Sequence, residues 1–213
     1  GIYNENQLVA WKRINDFIHT NTQTKIGIQL GHSGRKGCSK IPWEDSFNGE
    51  NWELLSASAI PFIENSFVPM EMTLEEMDLI TSQFIQATKN ANEAGFDLIE
   101  LQAHHGFLLA SFLSPLTNNR TDEFGERKEN RLKFPLRVFT EMRNVFPKEK
   151  PMSVRISATD WAENGISEED VLTIATAFKN AGADIINVST GNTVANQKPQ
   201  SGRMWQTPFS DLV

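Results

Sequence analysis

Apolar residues along this chain follow two alternating rhythms. Leu8, Trp11, Ile14 and Ile18 recur at steps of three and four, which predicts a helix with those four on its buried face, and the strand-like run KIGIQL (Lys25–Leu30) follows directly. Thr73 with Glu76 has the form of a capping box, and Ile80, Phe84, Ala87, Ala91 and Ala94 then mark one helical face. Gly95 ends that helix, because glycine tolerates the left-handed conformation that closes many helices, and FDLIEL (96–101) reads as the next strand. Arg131–Phe146 reads as a helix, Pro151–Ser157 as a strand and Ser167–Ala181 as another helix, stopped by Gly182. The segments AGFDLIEL (94–101) and AGADIINV (181–188) echo one another, so one helix–turn–strand unit recurs, and four such units can be counted.

Helices alternating with short apolar strands predict an α/β fold with parallel strands, since parallel connections need a long crossover. Two closures compete: an open doubly wound sheet and a barrel of eight units. No GxGxxG follows a strand, and polar residues gather just after the strands instead: Gln29 and His32, Gln102 to His105, Arg155 and Ser157, Ser189 to Asn192. The expected architecture is therefore a partial (β/α)8 TIM barrel occupying residues 1–213 as one domain. A full barrel takes ~250 residues, and four units make about half of one. Residues 31–70 form a connection far longer than usual, of the kind that serves as a lid or binding loop, and 114–130 is a second polar stretch on the same side.

Composition narrows the function. The chain has 213 residues, 39% of them hydrophobic, enough to bury a core. Its net charge of −7 and pI near 5.2 argue against a nucleic-acid partner. Cys38 is the one cysteine, so no internal disulfide forms. No apolar run approaches the ~20 residues needed to span a bilayer, and a cytoplasmic setting is the default expectation, with no membrane partner. The start at Gly1 and the stop after SDLV read as a fragment.

The motifs QLGHSGRKG (29–37), ELQAHHGFLLASFLSPLTNNRTDEFG (100–125), ENRLKFP (129–135) and PMSVRISATDW (151–161) resemble the Old Yellow Enzyme family of FMN-dependent oxidoreductases. They are most similar to its bacterial NADH:flavin oxidoreductase branch, including reductase-like domains of aromatic acyl-CoA hydroxylases. The resemblance implies an FMN barrel of which strands three to six are present. Part of the flavin cradle would then lie on strands this chain does not contain. It also implies NAD(P)H as reductant and a small-molecule substrate: an enone, an enoyl thioester or an aromatic acyl-CoA-like compound. Homo-oligomerisation is left open.

Residue by residue, Gln29 matches a glutamine that hydrogen-bonds the flavin ring, and Arg155 an arginine near its N1 and C2 carbonyl. A scaffold role remains the alternative for each, for Arg155 an ion pair with Asp97, Glu100 or Asp160. At the end of strand four the family pattern is His, two spacers, His or Asn, one spacer, Tyr. Here it reads Gln102, Ala103, His104, His105, Gly106, Phe107. His105 is retained and Gln102 can still donate an N–H to a carbonyl oxygen, so Gln102 and His105 are the expected catalytic and substrate-holding pair. Phe107 and His104 are also expected beside the substrate, although Phe107 carries no hydroxyl for proton donation. His104, on a spacer position, faces away from His105 if the strand continues, as either a supporting or an exposed side chain.

His32 is expected to brace its own loop, and Asn118, Arg120, Asp122 and Arg131 to fix the 114–130 turn. Trp43 and Trp52 either line a pocket or staple the long loop. The leading function is hydride transfer through FMN from NAD(P)H to an electron-poor alkene conjugated to a carbonyl or thioester. A degenerate barrel that binds without turnover is the alternative. A metal-dependent barrel hydrolase built on His32, His104 or His105 ranks last, since no HxH or HExxH spacing supports it, and no metal is expected.

Overall fold

A computed structural model describes residues 1–37, 53–64 and 66–213. Cys38, Trp43 and Trp52, on which part of the long-loop expectation rests, lie outside the described residues.

Helix α1 (Glu5–Asn21) starts at Asn4, whose side chain accepts from the Gln7 N–H. Leu8 is buried and Trp11 packs on Phe96 with ring centroids 5.5 Å apart. The predicted face is wrong at one position: Ile14 is 41% exposed and Asn15 is fully buried. Asn15 Nδ2 donates to the Ala94 carbonyl at 2.8 Å, satisfying the end of the next helix, so a polar contact rather than the apolar rhythm sets how α1 is rotated.

Strand β1 (Gly27–Leu30) begins two residues later than predicted, and β4 (Leu98–Ala103) runs two residues further, through Gln102 and Ala103. Between them, α2 (Leu74–Glu93) carries the full Thr73–Glu76 capping box and ends at Ala94, where Gly95 adopts φ +86°. The long connection contains its own two-residue strands, β2 (Leu55–Ser56) and β3 (Met70–Glu71), paired in parallel. After β4 comes a short buried helix, α3 (Leu108–Leu113), that the sequence pattern did not announce. Helix α4 (Lys128–Val145) starts three residues before Arg131. It is followed by β5 (Met152–Ser157), α5 (Glu168–Asn180) with a Ser167–Asp170 capping box, β6 (Ile185–Ser189) and α6 (Thr207–Leu212).

The main sheet is parallel throughout, in the order β1-β4-β5-β6, each strand joined to the next by a helix-containing crossover. Its outer face is covered by helices. Ile99, Leu101, Val154 and Ile156 are fully buried there with Phe139, Met142 and Phe178, and the last two phenylalanines, Phe139 and Phe178, meet edge to face at 5.5 Å. Each such side chain contributes roughly 1.5–3 kcal/mol by leaving water. Alternate residues of the same strands, Glu100 and Gln102 or Ser153 and Arg155, turn to the opposite, inner face.

The two echoing segments fold alike. Asp97 donates its N–H to the Ile26 carbonyl at 2.8 Å and accepts the Ile26 N–H on its carboxylate at 3.0 Å. Asp184 does the same with Met152, at 2.9 and 2.8 Å. Each aspartate thus clamps the N-terminal start of its own strand to the start of the neighbouring one.

Arg120 ties the 114–130 turn to the long connection, donating to the carbonyls of Ala57 and Met72 and pairing with Asp122. Asn118 Nδ2 bonds the Phe112 and Phe124 carbonyls, and Arg131 reaches Leu113 and Asp170. These four side chains do fix the turn. Among the described residues, no helix is long and apolar enough to cross a membrane.

Candidate active site

Strand register builds the site. Gln29 lies opposite Glu100, Gln102 opposite Arg155, Arg155 opposite Asn187, and Ser157 opposite Ser189. Period-two alternation then turns Gln29, Glu100, Gln102, Ser153, Arg155, Ser157, Asn187 and Ser189 onto one face. Gln102 Nε2 donates to Gln29 Oε1 at 3.1 Å, and Gln29 Nε2 donates to Glu100 Oε1 at 2.7 Å. The second carboxylate oxygen of Glu100 accepts from Ser153 Oγ at 2.9 Å and Asn187 Nδ2 at 2.8 Å.

Toward the C-terminal ends of the strands the network becomes cationic. An Arg155 terminal nitrogen lies 3.5 Å from Ser189 Oγ, while its buried Nε has no hydrogen-bond partner among the described residues. The rival ion-pair reading is not realised: Glu100 is taken by Gln29, Ser153 and Asn187, Asp97 by Ile26, Lys25 and His19, and Asp160 by Ser114 and Ile166.

His105 follows the end of β4 in a left-handed conformation, φ 57°, with Gly106 next at 69°. Non-glycine residues adopt this region rarely. The turn brings Nε2 of His105 to 2.7 Å from Ser189 Oγ, and its backbone N–H to 3.0 Å from Ser157 Oγ. It also removes the strand alternation expected of the histidine pair. The His104 and His105 rings lie on the same side with centroids 4.0 Å apart, and His104 is 3% exposed. The exposed alternative for His104 is therefore excluded. Its Nδ1 is buried without a partner among the described residues, and its ring meets the Phe107 ring edge-on at 5.9 Å. Phe107 occupies the N-cap position of α3, half-buried.

Both imidazoles are held neutral. Burial, then the neighbouring His105, Arg155 and Lys36 charges, push His104 down to about 3, and burial with Arg155 and Lys36 pushes His105 down to about 4. Lys36 is itself lowered to about 8 by burial and by Arg35. Its ammonium donates to the carbonyls of His105 and Asn192 at 2.8 and 2.7 Å and stands over the Phe62 and Phe107 rings. His32 Nδ1 accepts the Gly34 N–H, so it braces its own loop.

The sequence-predicted Gln29, Gln102, Arg155 and His105 are thus joined through Ser189 and the strand ladder, with His104 and Phe107 against His105. Sequence reasoning set Ser189 among the strand-end polar residues without giving it a role, and missed Glu100 as a hub, together with Ser153, Asn187 and Lys36. The signal was polar residues at alternate positions of otherwise apolar strands. A groove of about 610 Å³ borders β1 on its other side, against Trp11, Ile28, Phe84 and Ala87, and takes only Gln29 from the inner-face set.

This face offers fixed amides, a cation with an unpaired buried N–H and neutral imidazoles. Those groups fit a planar heteroaromatic ring with carbonyl and N–H edges better than a metal. Among the described residues, no group of three or more His, Cys, Asp or Glu converges as a metal site.

Comparison with known proteins agrees. A sequence model described as the NADH:flavin oxidoreductase / NADH oxidase family matches residues 1–210. An NADPH dehydrogenase of Listeria monocytogenes serotype 4a (strain HCC23) is 39% identical over 213 residues, covering all of this chain and 59% of that protein. A complex of 2-naphthoyl-CoA reductase with 2-naphthoyl-CoA superposes with a TM-score of 0.80 at 26% identity, covering 99% of this chain and 34% of the other. Histamine dehydrogenase from Rhizobium sp. 4-9 gives 0.75 at 27% identity, over 89% and 27%. The chain spans about 59% of the length of the dehydrogenase.

Proposed function

Because the chain belongs to the NADH:flavin oxidoreductase / NADH oxidase family, we propose that it forms the central part of an FMN-dependent enzyme that uses NAD(P)H to reduce an electron-poor alkene. The observation that carries this reading is the meeting of Gln29, Gln102, Arg155 and His105 on one face at one end of the sheet. Gln29 and Arg155 would hold the flavin, whose bound form supplies hydride chemistry. Gln102 and His105 would hold the substrate.

Gln29 serves through its amide, which offers both a donor and an acceptor to a ring edge. The Arg155 guanidinium is a fixed cation, and its unpartnered Nε–H is a donor ready for a carbonyl; both favour the more negative redox form of a ring bound beside them. Gln102 and a neutral His105 act as hydrogen-bond donors to a carbonyl or thioester oxygen, stabilising negative charge as it grows there. Burial and the neighbouring cations disfavour an imidazolium at His104 or His105, and Phe107 has no hydroxyl, so the proton that completes reduction would come from another source than the tyrosine of the family pattern. The aromatic thioester of the structurally similar 2-naphthoyl-CoA reductase supports an acyl-CoA or enone as the substrate class.

Stopped-flow kinetics of the two half-reactions test this. His105→Ala should slow oxidation of reduced flavin by an enone at least about tenfold, a loss on the scale of one charged-site hydrogen bond, while reduction by NADPH changes little. Equal slowing of both halves refutes a carbonyl-holding role. Phe107→Tyr should accelerate the oxidative half if proton delivery limits it.

A further inference from the structure

Glu100 bonds side chains on three other strands, and no catalytic role is assigned to it above. An ionised carboxylate only accepts hydrogen bonds, whereas a primary amide both donates and accepts and can be turned over at little cost. Placing the acceptor-only group at the hub removes that ambiguity. Gln29 must present Nε2 to Glu100 Oε1, so its Oε1 faces the other way and accepts from Gln102 Nε2. Asn187 must likewise present Nδ2 to Glu100 Oε2. One charge thereby sets the direction of three amides on β1, β4 and β6.

A close approach secures the far end of this relay. A Cβ on Gly31 would fall 2.3 Å from Gln102 Oε1 and 2.7 Å from its Cδ, so the Gln102 amide occupies space that only glycine leaves open.

We infer that Glu100 is the positioning residue of the site: its carboxylate orients the Gln29–Gln102 amide pair, and Gly31 admits the second amide, so that the inner face shows a bound ring or carbonyl one fixed pattern of donors and acceptors. The consequence for catalysis rests on the flavin reading above; the orientation itself does not. Glu100 acts through Gln29, Gln102 and Asn187. The position of a glutamine in place of an imidazole at 102 is coherent in this scheme, because an amide can extend a directed chain that begins at a carboxylate.

Side-chain amide NMR on the whole chain tests it without any flavin. In E100Q, whose hub both donates and accepts, the NH2 signals of Gln29, Gln102 and Asn187 should all move. The Gln29 and Gln102 amide protons should exchange with solvent about tenfold faster, the loss of one hydrogen bond to a charged group. Backbone signals of β4 and β5 should keep their dispersion. Gln29→Leu gives the second arm, and serves if E100Q does not fold: the Gln102 signal should move while that of Asn187 stays. Wild-type Gln102 and Gln29 amide signals in E100Q, or a wild-type Gln102 signal in Q29L, overturn the inference. Adding FMN separates the two readings. Moved amides with no flavin bound by wild-type protein that also carries the flanking barrel strands would sink the proposed function and leave the relay standing. Flavin bound with unmoved amides would do the reverse.

Discussion

The two ends of the parallel sheet are built from the same strands and are held in different ways. At the N-terminal end, Asp97 and Asp184 each clamp two strand starts, and Asp97 also gathers Lys25 and His19. Buried polar atoms without partners among the described residues occur at both ends, Asn15 Oδ1 and Arg143 Nε at the strand starts and Arg155 Nε and His104 Nδ1 at the strand ends, but only the C-terminal end adds a left-handed His105 and a cluster of cations around neutral imidazoles. Unpaired polar groups and unusual backbone cost stability, and they persist where the surroundings impose them. Under the proposed function, the C-terminal end is where a ligand would complete the hydrogen bonding of Arg155 and His104.

Arg155→Met should break the contrast most plainly. It removes a cation and an unpaired donor, so FMN affinity should fall by about 10- to 100-fold, the scale of hydrogen bonds to a charged group, while the urea midpoint holds. Fluorescence quenching of FMN measures the first and circular dichroism the second. Unchanged affinity defeats the assignment. Asp97→Ala and Asp184→Ala should show the converse: a stability loss of about 2 kcal/mol each, from an unsatisfied N–H and a lost charged partner, with flavin binding intact in whatever fraction remains folded.

Acid titration sharpens the comparison by separating the ends in pH. His104 and His105, lowered from 6.5 to about 3 and about 4, bind protons in the unfolded chain before the folded one. Stability should therefore fall as pH drops from about 6.5 toward 3, overlapping the Asp97 window only at its top, a loss that His104→Gln with His105→Asn would flatten. At the other end burial works to raise the Asp97 carboxyl, but the Ile26 N–H, Lys25 and His19 outweigh it and bring it down to about 2. Its contribution is present above 3.8 and is lost only as pH falls toward 2, so Asp97→Asn should change the lower window alone. A single merged transition would show that the ends are not independent.

The smallest effect belongs to the helix-stopping glycine. At Gly95, φ is +86° but the nearest atom to an added Cβ is 3.8 Å away, so Gly95→Ala should cost only the backbone strain, about 1 kcal/mol in a thermal or urea melt, and leave the site amides unmoved.

Local chemistry made much of this fold legible. The Thr73–Glu76 box, the stops at Gly95 and Gly182 and the echo of two Ala-Gly-x-Asp segments involve residues close in sequence, and each appears where the pattern put it. Gln29, Gln102, Arg155 and His105 were found through motif resemblance, and strand register explains why they meet. What stayed hidden depended on partners far away in the chain. Asn15 is buried because a carbonyl 79 residues on needs a donor, and no helical periodicity records that. Glu100 finds Gln29, Ser153 and Asn187 at separations of 71, 53 and 87 residues, which alternation on one strand cannot supply. Alternation already sets His104 on the side of Glu100 and Gln102, and His105 joins it there because His105 itself leaves extended geometry.

That same departure filters what evolution can try beside the strand end. At φ near +57° a β-branched side chain collides with its own main chain, whereas asparagine, aspartate and glycine are accommodated far more readily. Position 105 can thus trade its imidazole for an amide at little conformational penalty, but a valine, isoleucine or threonine would have to bend the turn. The shape of the peptide thus narrows the choice at position 105 before any question of chemistry arises.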